Sequence, residues 1–156
     1  MKVVFADEAY TAGNHPCYAI GAFTLAEDLL DGFLEFFEAT KRKHQFEGEL
    51  KWTKFRKNYN IINVGLDLLE TIVRSRTGSY QAIVVWKEPY QIWASGERER
   101  AFWVTYTQLM KKIASDDRSP FKVIFDDRPD KYDKHDEAME IITNNMLGQI
   151  AHDSRV

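Results

Sequence analysis

Two short apolar segments that each run directly into acidic residues constrain the fold of this chain most strongly. Residues 2–6 and Phe121–Phe125 are each rich in β-branched and aromatic side chains. The acids that follow them are Asp7, Glu8, Asp126 and Asp127. Such runs predict buried strands. In open α/β sheets, ligand-binding and catalytic residues lie just beyond the carboxyl ends of the strands.

Further apolar patterns separate the two segments. Residues 18–25 and 80–86 predict two more strands, and a helix is expected from about residue 26 to Lys43. Stripes with steps of three and four predict three other helices. Their expected buried positions are Phe55, Tyr59, Ile62, Leu66, Leu69 and Val73; then Phe102, Tyr106, Leu109 and Ile113; then Met139, Ile142, Met146 and Ile150. The order predicts an α/β fold, a mixed sheet with parallel neighbours flanked by helices.

Composition sets the class of protein. The chain has 156 residues, of which 44% are hydrophobic, and a net charge of -3, which predicts one soluble domain over residues 1–156. The single cysteine, Cys17, excludes an intramolecular disulfide framework and indicates a reducing compartment. No apolar run approaches the roughly 20 residues of a membrane span, and Asp7 comes too early for a signal peptide. A cytoplasmic location is expected.

Charge is segregated along the chain. Residues 41–57 carry seven basic and two acidic side chains, whereas acids predominate in residues 126–140. A local site for a polyanion is compatible with this pattern. The alternative is that both runs are solvated helix ends and loops.

Three acids in apolar contexts are candidate metal ligands: Asp7, Glu49 and Asp126, with Glu8 and Asp127 as secondary candidates. Carboxylates brought together repel one another unless a cation neutralises them, and Mg²⁺ or Mn²⁺ is the usual oxygen-bound ion. Two such ions roughly 4 Å apart activate a water and stabilise the leaving oxygen of a phosphodiester. The alternative is that these acids only cap turns.

Other site chemistries have little support in the sequence. No phosphate-binding glycine loop and no paired-histidine zinc motif occurs. Lys51, two positions after Glu49, is a candidate for orienting a substrate phosphate. The neighbouring Trp52 is a candidate for stacking a base, although Phe55 and Tyr59 fit a buried stripe better.

The motifs Asp7-Glu8, Glu49-Leu50-Lys51-Trp52 and Val123-Ile124-Phe125-Asp126 together resemble the domain-of-unknown-function 3800 family, whose members are ribonuclease H-like and mostly prokaryotic or phage-borne. That family opens with a strand ending in Asp-Glu-Ser-Gly, and this chain keeps the acids but has Ala9-Tyr10 in place of Ser-Gly. The resemblance implies a ribonuclease H-like fold, acids clustered on central strands around divalent metal, and nuclease or phosphodiester-transfer activity.

The family usually continues past an Asp-Ser element into a helix that brings another acid to the site. Here Asp153-Ser154 resembles the start of that element, and the sequence ends at Val156. The resemblance therefore implies a fold without its C-terminal element, and an apolar face that a second copy or another protein covers.

The leading hypothesis is a metal-dependent nuclease or phosphodiester hydrolase acting on DNA or RNA, with Asp7, Glu49 and Asp126 as ligands and Lys51 on the phosphate. The alternative is a non-catalytic ribonuclease H-like module that binds a protein partner. A small-molecule hydrolase using the same acids is a third hypothesis.

Overall fold

A computed structural model of the protein describes residues 1–9, 14–50, 55, 58–116, 119–125 and 144–145. Four strands and the helices between them fall within these ranges. The expected last helix lies outside them, except for Asn144 and Asn145. Lys51, Asp126 and Asp127 also lie outside the described residues.

The elements follow the expected order. The strands are β1 Lys2–Ala9, β2 Cys17–Ala26, β3 Gly78–Trp86 and β4 Phe121–Phe125. The helices are α1 Leu30–Lys43, preceded by a 3-10 turn at Glu27–Leu29, then α2 Tyr59–Ser75, the short α3 Gln91–Ala94 and α4 Arg98–Asp116. The prediction of an α/β fold with a mixed four-stranded sheet is confirmed.

The strands lie in the order β3-β2-β1-β4. β1 and β4 are parallel, in a register that pairs Lys2 with Phe121 and Ala6 with Phe125. The seven residues between β1 and β2 are too few for a parallel crossover, which needs about a dozen, so these neighbours are antiparallel. The amide of Lys87, just after β3, donates to the carbonyl of Pro16, just before β2, at 2.9 Å, so β2 and β3 are antiparallel too.

β1 continues three residues beyond its expected end at Ala6. The expectation that Asp7 and Glu8 follow the strand was wrong, because both lie inside it. Strand pairing uses backbone groups, and an acid can occupy a strand position whose side chain reaches solvent. Asp7 is exposed and Glu8 is half-buried, so neither carboxylate needs full burial for the strand to continue.

The chain forms two compact units. The first unit comprises residues 1–24 and 80–156, and its core lies between one face of the sheet and α4. This core contains Val4, Ala6, Tyr18, Ile20, Ala22, Phe102, Tyr106, Leu109, Met110 and Ile113. The four positions expected to face inward from α4 are all buried, which confirms that stripe.

The second unit comprises residues 25–79 and has its own core, formed by Phe46, Ile61, Val64 and Leu68. The expected buried stripe of α2 was wrong, because Tyr59, Leu66, Leu69 and Val73 are all exposed. α2 is apolar on more than one face, and Ile61, Val64 and Leu68 also keep helical spacing. Packing of Phe36 and Phe37 from α1 against this second set determines which face is buried.

None of the helices in the described ranges is long and apolar enough to cross a membrane. The expectation of one domain over residues 1–156 stays a prediction.

Candidate functional site

Three strands of the first unit end at the same end of the sheet. β1 and β4 are parallel, so their carboxyl ends lie together. β2 starts where β1 ends, and β3 ends where β2 starts, as the bond from Lys87 to Pro16 shows. The carboxyl ends of β1, β3 and β4 therefore converge. The candidate site lies at this end of the sheet, where the sequence predicted the functional residues.

Asp7 lies near the carboxyl end of β1, and its side chain is exposed. Its Oδ1 accepts a hydrogen bond from the amide of Glu8 at 2.7 Å. Side chains alternate between the two faces of a strand, and Val4 and Ala6 point into the core under α4. Asp7 therefore projects from the opposite face of the sheet.

The other candidate ligands are distributed between the two units. Glu8 adjoins Asp7 in the first unit, whereas Glu49 is exposed in the second unit, between the buried Phe46 and the half-buried Leu50. Within the described part of the chain, no three His, Cys, Asp or Glu side chains form a group that could hold a metal ion. Asp126, Asp127 and Lys51 are outside that part, so the complete ligand set stays a prediction.

An open cleft of about 540 Å³ lies at the end of β3. We call it the Trp93 cleft. Its lining includes Pro16, Trp86, Lys87, Glu88, Trp93 and Arg98, which all belong to the first unit. The volume is within the range of roughly 300–1,000 Å³ that is typical of small-molecule sites.

Two cations of the cleft lie over the same indole ring. The Lys87 Nζ is 5.0 Å from the ring centroid of Trp93, and the guanidinium carbon of Arg98 is 5.8 Å from it. Both distances are within the range of cation–π attraction. Lys87 is only 8% exposed, although it follows the last residue of a strand. Among the described residues of the lining, Glu88 is the one acid beside these two cations.

Trp93 is held in place by the core beneath it. Its ring stacks on Tyr18, with centroids 4.9 Å apart and planes 27° from parallel. The Tyr18 and Thr105 hydroxyls are 2.6 Å apart, and both lie within hydrogen-bond distance of the carbonyl of Ala101, at 3.3 Å and 2.8 Å. Burial raises the pKa of Tyr18, more than the bond to Thr105 lowers it. A neutral, fixed phenol therefore supports Trp93 at physiological pH.

The Trp93 cleft was not predicted from the sequence, in which aromatic and basic residues occur together most densely in residues 41–57. The run Trp86-Lys87-Glu88-Pro89, with Trp93 and Arg98 shortly after it, was a weaker signal. The sequence places a lysine directly after a predicted strand and between two tryptophans. It does not show that Lys87 is buried, because that burial depends on tertiary packing.

Comparisons of the chain with family models, with curated proteins and with solved structures found no match. The resemblance to the domain-of-unknown-function 3800 family therefore stays a prediction that rests on the three short motifs.

Proposed function

We propose that the protein is a divalent-metal-dependent nuclease with a ribonuclease H-like sheet. The observation that carries this proposal is the pairing of β1 with β4. These strands are parallel neighbours; β1 carries Asp7 and Glu8 near its carboxyl end, and Asp126 and Asp127 follow β4 in the sequence. The resemblance implies acids on central strands, and Asp7 lies on β1, which has a neighbour on each side.

The strand register supports a meeting of two carboxylates. Ala6 pairs with Phe125, so a register continued by one step would pair Asp7 with Asp126. Paired residues of parallel strands point to the same face, and neighbouring strands lie about 4.8 Å apart. Under this proposal both carboxylates project from the face opposite α4.

The donor set fits Mg²⁺ or Mn²⁺. Both ions prefer carboxylate oxygens and keep several waters, and Asp7 is an exposed carboxylate at the sheet end. Asp7 and Asp126 would hold the ion, with Glu49, Glu8 and Asp127 as further ligands. A bound ion supplies Lewis acidity and lowers the pKa of a bound water. The bond from the Glu8 amide to Asp7 Oδ1 fixes one carboxylate oxygen, which orients the group. Lys51 would place a positive charge on a substrate phosphate.

Calorimetric titration with Mn²⁺ tests this proposal. We expect saturable binding to the native protein that is lost in both Asp7→Asn and Asp126→Asn. Glu35→Gln, which removes an exposed acid from α1, is the control and should bind as the native protein does. Cleavage of labelled single-stranded DNA and RNA should require Mn²⁺ or Mg²⁺ and disappear in Asp7→Asn. Binding that survives both Asp substitutions would contradict the proposed site.

A second test needs no metal. Cysteines at positions 7 and 126, in a Cys17→Ala background, should form a disulfide on mild oxidation, because paired Cα atoms about 4.8 Å apart lie within disulfide range. A cysteine pair at positions 5 and 126 is the control, since it is offset by two residues. If the pair at 7 and 126 stays reduced while folded, the register does not continue and the carboxylates do not meet.

A non-catalytic binding module is the second candidate. Tyr80, Val84 and Trp86 project large apolar side chains from β3 and are exposed. Such side chains in a row are typical of contact surfaces. This function would be preferred if Asp7→Asn raises the thermal stability equally with and without Mn²⁺. In that case the substitution relieves repulsion between carboxylates and removes no metal ligand.

A further inference from the structure

The two edges of the sheet differ in how they are protected. β4 forms one edge, has five residues and carries Lys122. β3 forms the other edge, has nine residues, and contains no charged side chain and no proline. Short strands and lysines keep an edge from pairing with a further strand, whereas a long uncharged edge is a template for such pairing. Of the two edges, β3 is therefore the one suited to another strand.

The backbone of β3 presents every second residue to its outer side. The amide of Lys87 donates to the carbonyl of Pro16, beside β2. Peptide groups alternate between the two sides of a strand, so the pattern continued back from Lys87 turns alternate residues away from β2. These outward residues are Tyr80, Ala82, Val84 and Trp86. Within the described ranges, β2 is the one strand that pairs with β3, so the outward N–H and C=O groups have no strand partner.

The outward residues also carry the exposed apolar side chains of β3. Ile83 and Val85 pack against the core under α4, so the residues between them project from the opposite face of the sheet. On that face Tyr80 is 69% exposed, Val84 59% and Trp86 61%. A further strand beside β3 would therefore bury apolar surface as well as pair backbone groups.

A second copy of β3 complements this edge. In an antiparallel pair with a two-fold axis at Ile83, Tyr80 lies opposite the second copy's Trp86, and Ala82 lies opposite the second copy's Val84. Aromatic residues then meet at both ends of the pair, and a small residue meets a branched one between them. Such cross-strand pairs stabilise antiparallel sheets. Because all four residues face outward, each pair can exchange both of its backbone hydrogen bonds. No like charges meet, since the strand has none.

We propose that the protein is a two-fold symmetric dimer in which the β3 strands of two copies pair antiparallel and join the two sheets into one. The pairing occupies the β3 edge of both copies and leaves β4, which carries Lys122, as the edge at each end. The inference goes beyond the nuclease proposal and does not depend on it, because the pairing needs no metal. The two β1 strands lie five strand spacings apart, about 24 Å, so each copy keeps its own Asp7.

Light scattering after size-exclusion chromatography tests the dimer. The native protein should have twice the mass of one chain. Val84→Lys should raise the dissociation constant at least about tenfold, because each copy then brings a charge into the pairing. Val73→Lys is the matched control: Val73 is 74% exposed on α2, so the same charge is added outside β3, and the dissociation constant should stay within about twofold. A monomeric native protein, or a dimer that Val84→Lys weakens no more than Val73→Lys does, would overturn the proposal.

Hydrogen exchange resolved by NMR identifies what occupies the edge. The outward amides of Tyr80 and Ala82 should be protected in the dimer and should exchange rapidly in Val84→Lys. The inward amides of Ile83 and Val85 pair with β2 and should stay protected in both proteins, which gives a control within the same strand. Protection of the outward amides in a monomer would mean that another part of the chain covers β3, and would overturn the second copy as the occupant.

Crosslinking tests the register of the pairing. In a Cys17→Ala background, Tyr80→Cys combined with Trp86→Cys should give a disulfide-linked dimer on mild oxidation, because paired Cα atoms about 5.5 Å apart lie within disulfide range. Each cysteine substitution alone is the control, since it leaves every cysteine six residues from the nearest one in the second copy. Absence of the linked dimer from the double variant, or its formation by either single variant, would overturn the register.

Calorimetric titration of Val84→Lys with Mn²⁺ separates this inference from the nuclease proposal. The variant should be monomeric and should bind Mn²⁺ as the native protein does, which also shows that it is folded. A native protein that binds Mn²⁺ as a monomer would refute the dimer alone. A native dimer that does not bind Mn²⁺ would refute the nuclease function alone.

Discussion

Two helical glycines provide a matched test of packing in the second unit. A Cβ added at Gly65 in α2 would stand 2.7 Å from Cε1 and 3.0 Å from Cζ of Phe55, whereas a Cβ at Gly32 in α1 would meet nothing within 4 Å. Alanine in place of glycine within a helix gains about 1 kcal/mol, and less near a helix start. We expect Gly32→Ala to stabilise the protein by up to that amount.

Gly65→Ala gains the same free energy of helix formation but must displace Phe55, which packs against the second core. Overpacking of this kind costs about 1–3 kcal/mol. The net expectation is a change between zero and a loss of about 2 kcal/mol, so Gly65→Ala should be less stable than Gly32→Ala, by up to about 3 kcal/mol.

Urea unfolding at 25 °C measures this difference from the midpoints, provided that the slopes agree. Phe55→Leu removes the ring that the new methyl would strike, so Gly65→Ala should be less harmful in that background. A double-mutant cycle should give a coupling of about 1 kcal/mol or more. If Gly65→Ala stabilises as much as Gly32→Ala, the ring moves at no cost and the packing argument is refuted.

Two further predictions concern titratable groups. Tyr18→Phe removes the buried hydrogen bond to Thr105 and should lower the free energy of unfolding by about 1 kcal/mol, measured with urea at pH 7. Because burial raises the pKa of Tyr18, the native protein should also lose stability as the pH rises above about 10. The variant should lose less stability over the same pH range. In the second unit, hydrogen bonds from Lys43 and then His44 lower the pKa of Asp67 below its ordinary value of 3.8. This contribution to stability is present above pH 4 and is lost as pH falls through the lowered pKa, so the acid limb of a stability profile should be shallower in Asp67→Asn. Parallel acid limbs for the native protein and Asp67→Asn would contradict the role of this carboxylate.

The sequence was most informative where one pattern dominated. α4 has one continuous apolar stripe, so Phe102 and Ile113 could be assigned to the core with no knowledge of the sheet. α2 is apolar around much of its surface, and the choice between Leu66 and Leu68 as the buried leucine depends on α1 and on Phe46. Periodicity contains no information about a partner that comes from elsewhere in the chain.

The same distinction applies to the candidate site. The apolar run at residues 2–6 predicted that Asp7 lies close to the carboxyl end of a strand, and it does, although inside the strand and not after it. The Trp93 cleft depends on Tyr18, which is 75 residues away in the sequence from Trp93 and supports its ring. A long-range contact of this kind has no local pattern, and the cleft therefore emerged only from the structure.

The division of the chain into a continuous and an interrupted unit has a consequence for synthesis on the ribosome. Residues 25–79 are contiguous and have their own core, so they can collapse as soon as they leave the exit tunnel. The sheet must wait for β4, whose partner β1 was made more than a hundred residues earlier. That pairing has a high contact order and is expected to limit the folding rate. Until then β1 has an open edge, and a nascent chain stalled before residue 121 would expose it to other strands.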